Sequence, residues 1–140
     1  MGFSLDEKGY LSDPVDNLTS SYSNWEKIKS ELGGGSGSEL KPDKDGRAKF
    51  CAAHSSSALC VNHFAEISNF PEQFVFLDES GFKDAQFEKK LYTGISTPNL
   101  DFYLESERVI IGFESKFIET LSAKTPNHGD NLLKYVGRKE

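Results

Sequence analysis

The stretch that most constrains the fold is "TPNLDFYLESERVIIGFESKF", residues 97–117, which reads as two strands joined by a tight turn. Strands are expected at about 99–105 and 108–117, because β-branched, aromatic and leucine side chains alternate there with polar ones. The polar positions include Asp101, Glu114 and Lys116, which are charges that a sheet buried on both faces would exclude. The pattern therefore predicts a hairpin with one apolar face and one charged face.

Alternation assigns the side chains to these two faces. The apolar face receives one set of side chains from each strand: Leu100, Phe102, Leu104, Val109, Ile111, Phe113, Ser115 and Phe117. A turn centred on Ser106 and Glu107, with a two- or four-residue loop, is expected to set Asp101 opposite Gly112 and diagonal to Glu114, about 7–8 Å apart. Gly112 would leave the space over Asp101 open, and Lys116 would stand about 6–7 Å beyond Glu114. An odd-numbered turn without a bulge would move Asp101 to the buried face.

Two carboxylates and an ammonium group on a rigid sheet suit hydrolysis of a phosphodiester. Carboxylate oxygens are ligands for Mg²⁺, which also binds substrate phosphate oxygens. The ion lowers the pKa of bound water, and a nearby lysine orients the nucleophile or holds the phosphate. The alternative is an ion-paired, solvated sheet face without a chemical role.

The rest of the chain predicts a mixed α/β domain. A short amphipathic helix is expected within residues 20–32 and a second at about 56–68, ended by Pro71. Short strands are expected within 74–82 and 86–94, and a closing helix after Pro126. Residues 1–18 read as an extended arm. "GGGSGS" at 33–38 has the composition of either an engineered linker or a natural exposed loop.

Composition limits the classes of protein that this chain can represent. Its 140 residues, 36% of them hydrophobic, suit one core. A formal charge of −6 argues against non-specific coating of nucleic acid, although a local basic patch remains compatible with it. Cys51 and Cys60 are expected to be buried reduced thiols, and His54 and His63 to be packing or capping side chains. Without a secretory signal or a membrane span, the chain is expected to be cytoplasmic.

"PNLD" at 98–101 and, after a gap of twelve residues, "ESK" at 114–116 resemble the signature of the PD-(D/E)XK nuclease superfamily, whose fold many restriction endonucleases and repair nucleases share. "HSSSALCVNHF" also resembles the first helix of a bacterial restriction-endonuclease-like branch. The resemblance implies a restriction-endonuclease-like core, a small mixed sheet flanked by helices, over about residues 50–137. It divides the chain into an arm, short helix and Gly-rich segment (1–46) and a nuclease-like core (47–140). Pro98 does not directly precede the acid, and the superfamily's fourth strand is not evident.

The resemblance also implies roles for individual residues. Asp101 and Glu114 would be catalytic metal ligands, joined by the carbonyl of Ser115, and Lys116 would position the attacking water. An acid from the first helix would be Glu66, with Glu88 as the competing candidate. The expected substrate contacts are Lys89, Lys90 and Asn62.

A Mg²⁺-dependent DNA endonuclease, with Mn²⁺ as a substitute ion, is the function implied. A homodimer is compatible with it, because cutting both DNA strands needs two sites. The alternatives are a nuclease-fold module that binds DNA or a protein without cutting, and a small acidic interaction protein.

Overall fold

Three antiparallel strands and two helices form the fold in a computed structural model that describes residues 4–35 and 37–117. The strands are β1 (Asp84–Lys90), β2 (Asn99–Glu105) and β3 (Ile110–Phe113), in the sheet order β1-β2-β3. The mixed α/β architecture is therefore as predicted, and these strands are antiparallel throughout. The closing helix predicted after Pro126 lies outside the described residues.

Helix α1 spans Trp25–Gly34 and helix α2 spans Ser56–Asn69. The Ser55 hydroxyl accepts a hydrogen bond from the Ala58 N–H at 3.1 Å, which satisfies one of the free donors in the first turn of α2. The helix ends just before Pro71, which has no N–H to continue the ladder. The predicted range of 56–68 for α2 is confirmed to within one residue. The predicted α1 is also found, and it extends into the first two glycines of the Gly-rich segment.

The prediction of a strand within residues 74–82 is wrong. After a 3-10 turn at Pro71–Gln73, the chain forms in its place an isolated bridge between Phe76 and Glu79. Leu77 and Asp78, between the bridged residues, have left-handed φ angles of 48° and 65°. That conformation turns the chain back on itself and prevents an extended strand.

Helix α1 covers the outer edge of β1. The Glu31 carboxylate accepts a hydrogen bond from the Phe87 N–H at 2.9 Å, and the Lys27 ammonium donates to the Ala85 carbonyl at 3.3 Å. These side chains take the place of a neighbouring strand and satisfy backbone groups that an open sheet edge would expose. The sheet therefore cannot add a strand on this side.

One apolar core joins both helices to the sheet. Its fully buried large side chains are Phe50, Phe82, Phe87, Phe102, Ile28, Leu32, Leu104 and Val61. Cys51 and Cys60 are buried free thiols, as predicted. Helix α1 contributes Ile28 and Leu32 to this core, which is the single core that the composition predicts.

The N-terminal arm is held against this core. A 3-10 turn forms at Pro14–Asn17, and the Asn17 amide donates hydrogen bonds to the carbonyls of Phe50 and Ala52 at 2.7 and 2.8 Å. Tyr10 also pairs with Ala52 in an isolated bridge. The arm is thus more structured than the extended segment predicted. Across residues 4–35 and 37–117, the helices are too short or too polar to traverse a bilayer.

Candidate functional site

The β2–β3 turn has an even number of residues, as predicted. Glu105 pairs with Ile110, so the loop consists of residues 106–109, and the Ser106 hydroxyl accepts hydrogen bonds from the N–H groups of Arg108 and Val109, both at 3.2 Å. Side-chain bonds of this kind stabilise tight turns. The four-residue loop is therefore set by the serine at its start.

The loop is centred on Glu107 and Arg108, one residue later than predicted, and this shifts the pairing by two residues. Tyr103, and not Asp101, lies opposite Gly112. A Cβ on Gly112 would be 2.7 Å from Leu100 Cδ1, so the glycine accommodates Leu100 and does not open space over Asp101. Leu100 therefore covers the face on which only polar side chains were expected. Continuing the register past the Phe102–Phe113 pair brings Asp101 opposite Glu114.

Asp101 is tied directly to the Glu114–Lys116 segment. Its Oδ2 accepts a hydrogen bond from the Ser115 N–H at 2.6 Å, which continues the strand contact just after β3 ends. The Ser115 hydroxyl donates to the Ser56 carbonyl at the start of α2, at 2.9 Å. The segment is thus fixed between β2 and α2.

Glu114 and Lys116 form an ion pair at the surface. Lys116 Nζ lies 3.5 Å from Glu114 Oε2, and each side chain is 53% exposed. An exposed pair of this kind contributes little to stability. The structure therefore gathers all three residues predicted to be catalytic at one end of the hairpin.

Glu88 is the acid that β1 places beside them. The pairs on either side, Phe87 with Phe102 and Lys89 with Leu100, put Glu88 opposite Asp101. Its φ angle is +52°, a left-handed conformation that few residues other than glycine adopt within a strand. This conformation breaks the alternation of faces, so that Lys89 lies on the same side as Gln86 and donates to its amide oxygen at 2.9 Å.

The surroundings of Glu88 concentrate negative charge. The side chain is half-buried, and Oε2 accepts a hydrogen bond from the Asn99 amide at 3.0 Å. Burial, followed by repulsion from Asp101, Glu39 and Glu114, raises the pKa of this carboxyl above its ordinary value. Electrostatic coupling therefore links Glu88 to both acids of the hairpin.

Glu39 was not predicted as part of the site. Its Oε2 accepts a hydrogen bond from the Ser57 hydroxyl at 2.9 Å, and Oε1 lies 3.8 Å from Lys49 Nζ. In the sequence it sits within a polar, turn-rich stretch that offers no periodic signal. Only its effect on the pKa of Glu88 marks it as a neighbour of the site.

The ligand atoms suit a hard divalent cation, but they do not converge in this arrangement. Carboxylate and carbonyl oxygens are the ligands that Mg²⁺ prefers. Within residues 4–35 and 37–117, no three His, Cys, Asp or Glu side chains are gathered closely enough to hold a metal ion. One reason is that Glu114 turns toward Lys116, while Asp101 is engaged by the Ser115 backbone. Rotation of Glu114 away from Lys116 would free its carboxylate for an ion held with Asp101.

The other predicted site residues lie apart from the hairpin charges or are already engaged. Glu66 is exposed on α2 beside a surface depression that also involves Phe70. The Asn62 amide holds the N-terminal arm, accepting from the Thr19 N–H at 2.8 Å and donating to the Asn17 carbonyl at 2.9 Å. Between the two candidates for the additional acid, Glu88 is the one that the structure places beside Asp101.

The two lysines and the two histidines are in different settings. Lys89 Nζ lies 4.8 Å from the centre of the Tyr103 ring and 3.7 Å from Asp84 Oδ2. Lys90, the last residue of β1, is exposed. His63 is exposed, with Nδ1 3.0 Å from the Leu59 carbonyl oxygen. His54 is also exposed, in the turn before α2. Lys90 is therefore the more accessible of the two predicted phosphate contacts.

Comparison with known proteins identifies a family. A family model described as Restriction Endonuclease associating with ARP matches residues 10–139, which is nearly the whole chain. No curated protein and no solved structure matches the chain.

Proposed function

The chain belongs to the family described as Restriction Endonuclease associating with ARP, and on this basis we propose that it is a Mg²⁺-dependent DNA endonuclease that hydrolyses phosphodiester bonds. The observation that carries the proposal is the 2.6 Å hydrogen bond from Ser115 N to Asp101 Oδ2. It joins the "PNLD" aspartate to the "ESK" segment in the order that the PD-(D/E)XK signature requires. Membership of the family and this geometry support the same chemistry independently.

In the proposed mechanism, Asp101 and Glu114 would hold a divalent ion together with the Ser115 carbonyl, and Glu88 would add negative charge beside them. A bound ion would acidify a water molecule and would neutralise charge on the phosphate. Lys116, released from its ion pair with Glu114, orients the nucleophile and contacts the phosphate. The ion pair would therefore exchange partners when metal and DNA bind.

A second candidate function is a nuclease-fold module that binds DNA or a protein without cutting. It is favoured by the absence of three converging metal ligands among the described residues. The family description, which names association with ARP, also suggests a protein partner. For the cutting enzyme, a homodimer would bring two sites to the two DNA strands. Metal binding and cleavage, measured together, distinguish the two functions.

The test compares Asp101→Asn with Lys116→Ala in the full chain. Asparagine keeps an oxygen that can accept from Ser115 N but removes a charged ligand, so both Mg²⁺ affinity and plasmid cleavage should be lost. Alanine at 116 removes a cation beside the ion, so metal should bind at least as tightly while turnover falls by about 10²-fold or more. Calorimetry with Mg²⁺ or Mn²⁺ and a plasmid cleavage assay measure the two effects.

Lys83→Ala and Asp84→Asn are matched controls. Lys83 is an exposed lysine whose ion pair with Glu107 lies near the turn end of the hairpin, and Asp84 is an exposed acid at the start of β1. Both variants should cut DNA at the parental rate. If Lys116→Ala also cuts at that rate, the nuclease assignment of the hairpin is wrong. If the parent protein binds metal but does not cut DNA, the chain is a non-cutting module and not a nuclease.

A further inference from the structure

A cavity of about 230 Å³ opens between α2 and the end of β3. Its walls are apolar and include Leu59, Phe64 and Phe113, whereas His63, Glu114 and Lys116 stand among its polar lining residues. An apolar cleft with a few polar groups is the usual form of a small-molecule site. The cavity is therefore suited to a flat ring with polar edges.

The cavity adjoins the candidate site because Glu114 and Lys116 belong to both. Cys60, another wall residue, is 2% exposed. Burial, followed by the charges of Asp101, Glu88 and Glu114, raises the pKa of its thiol. Since Lys116 lines the cavity, a group inside it would lie next to whatever Lys116 contacts.

Aromatic packing holds the apolar walls in place. The Phe64 ring stacks on Phe102 with centroids 4.4 Å apart and contacts Phe113 at 4.7 Å. Phe102 is fully buried, whereas Phe64 and Phe113 are only partly buried. Aromatic rings that are fixed and partly exposed are the surfaces on which nucleobases stack.

His63 supplies an acceptor at the cavity. The Leu59 carbonyl can only accept, so the hydrogen bond at 3.0 Å places a proton on His63 Nδ1. In the neutral ring Nε2 is then an acceptor, while Lys116 can only donate. Nucleobase edges present both donors and acceptors, so these two side chains complement such an edge.

We propose that this cavity is a nucleobase-binding subsite, which takes the base next to the phosphate that Lys116 contacts. The proposal rests on the proposed nuclease function, since that function supplies the phosphate. His63 acts in it as a residue that contacts and orients the base. The nucleotide is thereby held through its base as well as through its backbone.

Calorimetry on the full chain tests the subsite with two probes, a 2′-deoxynucleoside 5′-monophosphate and 2-deoxyribose 5-phosphate. Stacking of one base should make the nucleotide bind about 10- to 100-fold more tightly than the sugar phosphate. Leu59→Trp fills the cavity and should remove that difference, and His63→Ala should reduce it by about 3- to 10-fold.

His54→Ala and Leu77→Trp are the matched controls, because His54 is an exposed histidine and Leu77 an 82% exposed leucine away from the cavity. Neither change should alter the preference for the nucleotide. Equal binding of nucleotide and sugar phosphate, or an unchanged preference in Leu59→Trp, would overturn the subsite. A chain that prefers the nucleotide but cuts no plasmid would support the subsite and overturn the proposed activity instead.

Discussion

Ionisation of Glu88 opposes folding. Burial and neighbouring carboxylates raise the pKa of Glu88, so the folded chain holds this proton more tightly than the unfolded chain. Stability is therefore lost as the pH rises from the unfolded pKa through the folded pKa, and the penalty is fully present above both. Glutamine at this position has no charge to lose and can still accept from Asn99.

We therefore expect Glu88→Gln to raise the free energy of unfolding at pH 7 by a small amount, and to have almost no effect below about pH 4. Urea unfolding of both proteins across this pH range measures the difference. Glu72→Gln, a change at an exposed position in the Pro71–Gln73 turn, is the control and should leave the stability unchanged at both ends of the range. A gain of equal size at pH 4 and pH 7 would show that the charge on Glu88 is not its cause.

At the scale of elements, the glycines that follow Leu32 have different roles. Gly33 lies inside α1 with open space around the position of a Cβ, whereas a Cβ on Gly35 would lie 2.4 Å from Glu88 Oε2. The segment predicted to be either a linker or an exposed loop thus begins as helix, and at Gly35 it approaches Glu88. Replacing all of residues 33–38 with another linker would change both.

We expect Gly33→Ala to stabilise the protein by about 0.5–1 kcal/mol, the usual gain inside a helix. Gly35→Ala should give no gain, because it displaces the Glu88 carboxylate from Asn99 and loses about 1 kcal/mol at most. The midpoints of urea unfolding measure both effects. In a double-mutant cycle, Glu88→Ala should remove the penalty at Gly35; additive effects would show that the two residues do not touch.

The elements were largely predictable because their periodic patterns are local. The bounds of β2 were predicted as 99–105 and found there, and β1 was found at residues 84–90 where 86–94 was predicted. The pairing of Asp101 was not predictable to the residue, because moving the centre of the turn by one residue, to Glu107 and Arg108, changes the pairing by two residues. The hydrogen bonds to the Ser106 hydroxyl stabilise the turn at that position. The left-handed backbone of Glu88 also lacks a local signal, because tertiary contacts impose it.

At the scale of the whole molecule, the shared core predicts one unfolding transition. Trp25 on α1 packs against Phe50 with ring centroids 5.7 Å apart, and Phe50 belongs to the cluster that also contains the sheet residues Phe87 and Phe102. Residues on both sides of position 46 should therefore unfold together, as the single core predicted from the composition implies.

Trp25 fluorescence and far-UV circular dichroism should give the same midpoint in urea. Ile28→Val, at a fully buried position in α1, should lower the free energy of unfolding by about 0.5–1.5 kcal/mol. Both midpoints should therefore fall by the same urea concentration. If fluorescence changes at a lower urea concentration than circular dichroism, α1 melts on its own and the two segments are independent units.

At position 88, the residue that would give the highest thermal stability differs from the residue that the proposed chemistry uses. Glycine adopts the left-handed conformation without the strain that glutamate bears there, and it would also remove a poorly tolerated charge. Laboratory evolution that selects only for survival at high temperature should therefore enrich glycine at position 88. Selection for DNA cutting should retain the carboxylate. The amino acid found at position 88 after many generations would thus show whether selection had acted on thermal stability or on DNA cutting.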